Sequence, residues 1–222
     1  MKPYFEDHKA GIKIYHGDAR EILPTLEPCA VLVSDPPYGI AHPTDYAARG
    51  RGNLAPCKNY PIVYGDAEPF DPRWLLPLYF DKPMVLWGAQ NYASRLPDFG
   101  GWLVWDKERP DSLDQATCEL AWTNCIKGVR RFRHMWNGML RASENEPLSH
   151  PTQKPVALLK WVLSLPWIPD GSVCDPYIGS GTTLRAAKDL GRQAIGIEIE
   201  ERYCEIAANR LRQEVLNFEA SA

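Results

Sequence analysis

Hydrophobic positions along this chain come in short blocks separated by prolines, glycines and acids, and the spacing inside each block names the element it builds. GIKIYHGD alternates as a short strand does, and the AREILPTL that follows supplies about two helical turns. CAVLVSD is a continuous apolar run, the pattern of a strand buried on both faces of a parallel sheet. An irregular excursion at 40–68 is rich in Gly, Asn, Lys and Arg. Asp71 and Pro72 then give an N-cap and a first-turn proline to a predicted helix over RWLLPLYF, bent at Pro77. PMVLWG predicts another buried strand, and GWLVWDK and TCELAWTN predict two more, paired antiparallel. The alternation of GVRRFRHMW allows an edge strand as the structural alternative to a nucleic-acid contact. A largely apolar helix runs from Pro155 to Leu165, opened by Thr152 and closed by Pro166. SVCDPY is a strand, GTTLRAAKDL a helix ended by Gly191, and QAIGIEI a strand again. A last helix carries Tyr203, Ile206, Ala207, Leu211, Val215 and Phe218 on one face. Strands alternating with helices in this way predict an α/β fold around a mostly parallel sheet, with one antiparallel strand pair.

Composition fixes the scale of that fold. With 222 residues, 45% of them hydrophobic, the chain can bury the core of a single domain spanning 1–222, with the loop excursion and a small region at 125–149 as appendages. The opening MKPYFEDHKAG has no apolar signal-peptide core, and no stretch approaches the ~18 apolar residues of a membrane span, so a cytoplasmic protein without a membrane partner is expected. Six cysteines without C-x-x-C spacing argue against a zinc cluster or a disulfide framework, and no metal is expected. The eight tryptophans, four of them in strand candidates, read as core and sheet packing. A net charge of -3 gives no global pull toward nucleic acid, so such a partner would have to be held locally. Two basic clusters could do so: Arg130, Arg131 and Arg133 beside Phe132 and Trp136, and Arg49, Arg51 and Lys58 in the excursion. Most basic clusters are only solvated faces, so charge alone decides nothing here.

Two turns carry the chemistry. CDPYIGSGTT lies between a strand and a helix, where open α/β sheets bind ligands beyond their strand carboxyl ends. Gly179 and Gly181 permit a tight turn and close backbone approach to a ligand. No lysine follows as a phosphate loop requires, and Leu184 takes the third glycine position of a dinucleotide fingerprint. Glu198, at the end of the next strand, stands near the ~20-residue spacing at which a carboxylate meets ribose hydroxyls, so a nucleoside-containing ligand is expected. The other turn is SDPPYG. Pro36 and Pro37 stiffen the backbone so that the Asp35 carboxylate and the Pro36 carbonyl form a pair of acceptors suited to an exocyclic amine, with Tyr38 available to stack on the ring that bears it.

SDPPYG, DPYIGSGTT, IGIEIEERYCEIAANRL, HPTQKP and HGDAREIL together resemble the S-adenosylmethionine-dependent DNA amino-methyltransferases, which act on adenine N6 or cytosine N4. The clamp precedes the glycine turn, which is similar to the β-class arrangement, a circularly permuted Rossmann-like methyltransferase fold. The resemblance covers roughly 10–37, 84–124 and 148–212 and implies DNA as partner and S-adenosylmethionine as cofactor. It implies that Asp35, Pro36, Pro37 and Tyr38 are catalytic, and that Asp175, Gly179, Ser180, Gly181, Thr182 and Thr183 line the methionine end of the cofactor. Glu198 would hold the ribose, Lys154 would pack beside the cofactor, and Asp18 would lie near its adenine. Adenine N6 is the expected target, because the clamp begins with Asp35 rather than Ser. An N4-cytosine enzyme, an RNA or protein glutamine methyltransferase, and a non-catalytic DNA-interaction protein are the alternatives. Oligomeric state is open and a homodimer is allowed.

Overall fold

The computed structural model describes residues 1–40, 64–110, 116–137, 140–144 and 153–213. In chain order the strands are β1 Phe5–Asp7, β2 Ile12–His16, β3 Val31–Ser34, β4 Met84–Trp87, β5 Gly101–Asp106, β6 Cys118–Thr123, β7 Gly128–Arg133, β8 Trp136–Asn137, β9 Leu140–Arg141, β10 Val173–Asp175 and β11 Ala194–Glu198. The helices are α1 Ala19–Ile22, α2 Val156–Leu163, α3 Thr182–Asp189 and α4 Glu201–Arg212. Nine strands form one sheet in the order β1-β2-β11-β10-β3-β4-β6-β5-β7, and β8 and β9 make a separate hairpin. From β2 to β4 every pairing is parallel, and β6 runs antiparallel to both β4 and β5.

The strands sort their side chains by period two onto two layers. Ile12, Ile14, Val31, Val33, Val85 and Trp87 face α2, α3 and α4, while Tyr15, Leu32, Met84 and Leu86 pack on the opposite side with α1 and residues 70–92. Two parts depart from the sequence reading, and a third adds to it. RWLLPLYF does not form an α-helix; it makes two 3-10 turns, Pro72–Trp74 and Leu76–Tyr79, because Pro77 has no N–H to continue a ladder. Asp71 still caps the first of them through Arg73 N, 3.1 Å. Pro155 occupies the N-cap of α2 rather than its first turn. β7 is an edge strand, as its alternation allows, and it pairs in parallel with β5. Thr152, Val215 and Phe218 lie outside the described residues.

A buried guanidinium fastens the far end of this frame. Arg192, after the left-handed Gly191, donates to the carbonyls of Leu163 at the end of α2, Pro169 and Gly171 at 2.8–3.1 Å. Replacing it with Met removes all three bonds and leaves the buried Leu163 carbonyl without its donor. Arg192→Met is expected to cost about 1–3 kcal/mol, lowering Tm by roughly 3–10 °C in a thermal melt.

Candidate functional site

The connections set the location of the site. From β10 the chain passes through α3 to β11 on one side of the sheet, and from β3 it goes to β4 on the other. β3 and β10 are adjacent and parallel, so their carboxyl ends flank the crevice where the connections diverge. The two turns, some 140 positions apart in sequence, therefore emerge side by side, and Ser34 Oγ donates to Asp175 Oδ1 across the gap at 2.7 Å.

The cleft above them is open to solvent and spans about 430 Å3, counting the open space at its mouth. Asp35, Lys154, Asp175, Gly179, Ser180, Thr182 and Thr183 line it, together with Trp87, Gln153, Leu159, Tyr177 and Ile178. Gly179 (φ 49°) and Gly181 (φ 80°) both adopt left-handed backbone. Gly181 does not face the cleft. It packs against α4, where a Cβ would come within 2.7 Å of the Ala207 methyl. Glu198 stands behind the turn, its Oε2 accepting from Gly179 N at 2.9 Å and its Oε1 from Glu200 N at 2.8 Å. Burial pushes Glu198 up despite those donors. Burial also raises Asp175 to about 6, against hydrogen bonds from Thr183, Ser34 and Tyr177 N. Asp18 caps α1 through Arg20 N at 2.8 Å and is not among the cleft-lining residues; Tyr177, which is, feels the charges of both Arg20 and Asp18.

On the β3 side, Asp35 is already engaged. Lys154 Nζ lies 2.5 Å from its Oδ2, and the Tyr38 hydroxyl donates to its Oδ1. The same ammonium is 2.9 Å from Glu119 Oε1 and 2.8 Å from the Tyr38 hydroxyl oxygen. Tyr38 thus presents its hydroxyl to a polar cluster while its ring edge packs on Gly88, and Asp35 is the one clamp residue among those that line the cleft. Burial pushes Asp35 up, with Lys154 opposing and Glu119 adding to the rise. Burial acts on Glu119 too, but Lys154 and Lys107 together hold it well below the usual carboxylate range. Lys154 stays above its ordinary value because two carboxylates outweigh its burial.

Glu119 and Asp66 escape sequence reasoning. Glu119 sits near the start of β6, opposite Trp105, in an otherwise apolar run. An acid inside CELAWT was the available signal, since an unpaired carboxylate there would be costly. Asp66 accepts from Tyr38 N (3.1 Å) and Gly39 N (2.9 Å), fastening the backbone just past the double proline. Its position after the excursion left no pattern to find it by. Trp87 was legible only as core, yet it lines the cleft, and its buried Nε1 meets no acceptor among the described residues.

The basic cluster divides. On β7, Phe132 stacks on Trp161 of α2 at 5.1 Å and Arg130 lies over Trp167, whereas Arg131 and Arg133 alternate to the other face. Arg133 pairs with Asp106 at 3.3 Å. β7 runs parallel to β5, so its Arg133 end rises on the same edge of the sheet as Glu119 and the cleft. Arg49, Arg51 and Lys58 lie outside the described residues. Among the described residues no helix is long and apolar enough to cross a membrane.

This cleft also fits a nucleoside sulfonium amino acid. Asp35 and Asp175 can face an ammonium or sulfonium charge, the Ser180, Thr182 and Thr183 hydroxyls can face a carboxylate, and Trp87 Nε1 and Tyr177 offer a donor and a ring.

Comparison with known proteins shows the family and the fold. A family model described as DNA methylase matches residues 103–209. The Type II methyltransferase M2.LlaDCHI of Lactococcus lactis subsp. cremoris is 39% identical, the match covering 96% of this chain and 93% of that protein. M.ScaI of Streptomyces caespitosus, another Type II methyltransferase, is 41% identical over 96% of this chain and 84% of its own length. Among solved structures, an M1.HpyAVI-SAM complex superposes with a TM-score of 0.58 at 24% identity, covering 90% of this chain and 99% of that one. The cytosine-N4-specific PvuII DNA methyltransferase superposes at 0.60 with 15% identity, covering 92% and 87%.

Proposed function

This chain belongs to the DNA methylase family of S-adenosylmethionine-dependent amino-methyltransferases, and from that premise we propose that it methylates adenine N6 in DNA. The observation that supports the reading is that Asp35, which opens the Asp35-Pro36-Pro37-Tyr38 clamp, lines the same switch-point cleft as the glycine turn. The choice of adenine over cytosine rests on the clamp beginning with Asp35.

S-adenosylmethionine supplies a methyl carbon on a sulfonium, an electrophile that needs a nucleophilic nitrogen but no metal. Asp175, Gly179, Ser180, Thr182, Thr183 and Lys154 are the residues we assign to holding it, with Glu198 and Gly181 shaping the turn and the charge of Asp18 felt by Tyr177. Asp35 and the Pro36 carbonyl accept N–H bonds from the target amine, which draws its lone pair out of the ring and aims it at the cleft. Tyr38 packs on the base. Positioning and charge stabilisation supply most of the acceleration. A base in a duplex reaches Asp35 only by leaving the stack, at a cost of a few kcal/mol. Arg131 and Arg133 on the cleft-side end of β7, and Arg130 on its other face, are suited to phosphate contacts in the 125–149 region that offset this cost.

The test is direct. DNA incubated with labelled S-adenosylmethionine and the protein, then digested to nucleosides, is expected to yield N6-methyldeoxyadenosine by mass spectrometry. N4-methyldeoxycytidine in its place would refute the choice of base, and unlabelled nucleosides throughout would refute methyl transfer to DNA.

A further inference from the structure

Both oxygens of Asp35 are already engaged. Its Oδ2 faces Lys154 and its Oδ1 takes the Tyr38 hydroxyl, so an incoming amine competes with them for the same negative charge. The Tyr38 hydroxyl carries a single proton yet stands within hydrogen-bond reach of two carboxylates, Asp35 and, at 2.5 Å, Glu119 Oε1. Glu119 also shares the Lys154 ammonium at 2.9 Å and holds Lys107 on its other oxygen at 3.0 Å. It is 8% exposed, within an apolar strand. A buried acid placed where it can receive both groups that bind Asp35 is poised for an exchange.

Building on the methyl-transfer reading, we propose that Glu119 is a positioning residue of the reaction: it takes over the Tyr38 hydroxyl and shares Lys154, leaving Asp35 Oδ1 for the amine N–H and then for the proton the nitrogen gives up. The balance is simple. The amine nitrogen forms one bond to the methyl carbon as the carbon–sulfur bond breaks with its pair kept by sulfur. The nitrogen's surplus positive charge leaves as a proton to the Asp35 carboxylate, which passes it to solvent through the cleft. Glu119 touches neither substrate nor methyl group and acts only through Tyr38 and Lys154.

The electrostatics give this role a signature. The groups facing Asp35 are Lys154 from the segment before α2, Glu119 from β6, Tyr38 from its own loop, and Asp175 and Tyr92 at longer range; Lys107 and Arg109 act through Glu119. A negative Glu119 raises the proton affinity of Asp35, and Lys107 offsets part of that negative charge. Activity requires ionised Asp35, so it is lost as pH falls through the Asp35 titration.

Glu119→Gln keeps an oxygen for the Tyr38 hydroxyl but removes the charge. Its kcat should fall roughly tenfold, with KM for S-adenosylmethionine unchanged, and the acid limb of kcat should move to lower pH. Lys107→Gln removes the outer cation instead, so the limb should move the other way, to higher pH. A merely structural role would shift neither limb, or both alike. Should Glu119→Gln not fold, the upward shift in Lys107→Gln decides alone. Two folded variants with unmoved limbs, or limbs moved in the same direction, overturn the proposal. A wild-type protein that methylates no base overturns the underlying reading instead, which keeps the two failures distinct.

Discussion

Asparagine in place of Asp35 is expected to lower kcat about a thousandfold while leaving the affinity for S-adenosylmethionine within about threefold. The size follows from what is removed. The amide keeps an oxygen, so a hydrogen bond from the target amine survives in part, but it carries no charge and takes no proton from the methylated nitrogen. Its NH2 also opposes the Lys154 ammonium, which now lies 2.5 Å from Oδ2. The fold should tolerate the change, because Lys154 retains Glu119 at 2.9 Å and Tyr38 retains Glu119 at 2.5 Å. A loss of only about 1–2 kcal/mol is expected in urea denaturation. The pH dependence follows by sign. Burial holds Asp35 above its ordinary range, so wild-type kcat should decline at a pH higher than a free carboxylate would give, and that limb should vanish from the residual activity of Asp35→Asn. Single-turnover methylation and calorimetric titration of the cofactor measure the two halves separately. A variant that retains a tenth of wild-type kcat would remove Asp35 from the chemistry.

The parts of this protein that are legible from sequence are those whose signals lie close together in it. An apolar run ended by Asp35-Pro36-Pro37-Tyr38, or by Asp175 with two glycines beyond, announces a strand end and a shaped turn in fewer than a dozen positions. Parallel α/β topology then leaves few places for two such ends, and they share one cleft. Glu119 had no such local signature. What makes a buried acid tolerable is Lys154, which arrives from another segment, and Lys107, which sits across a strand pair. Pro77 misled in the opposite sense, because apolar spacing over RWLLPLYF suits a helix while one missing N–H is enough to divide it into 3-10 turns. The arginines of β7 looked like one patch in sequence, but the two-residue period of a strand sends neighbours to opposite faces, and only the pairing with β5 made that period apply.

The second large effect is expected at a residue with no chemistry of its own. Gly88 follows β4 with φ of 70°, a left-handed conformation that costs an alanine about 1–2 kcal/mol. The greater consequence is spatial. A Cβ built there would lie 1.8 Å from Cε1 and 2.3 Å from Cδ1 and Cζ of Tyr38, distances no relaxation of a few tenths of an ångström can relieve. The Tyr38 backbone is fixed by Asp66, so the ring rather than the loop must give way. Gly88→Ala should therefore evict the Tyr38 side chain, taking its hydroxyl from Asp35 and Glu119 and its face from the base. Loss of a stacking contact of about 1–3 kcal/mol predicts a fall of roughly 10- to 100-fold in kcat/KM for DNA, with cofactor affinity preserved because Gly88 lies outside the glycine turn. Tyr38→Ala offers the matched control. It removes the ring that Gly88→Ala displaces, so a Gly88→Ala/Tyr38→Ala double variant should be no slower than Tyr38→Ala alone. Additive losses in that cycle would mean that Gly88 acts through something other than the tyrosine.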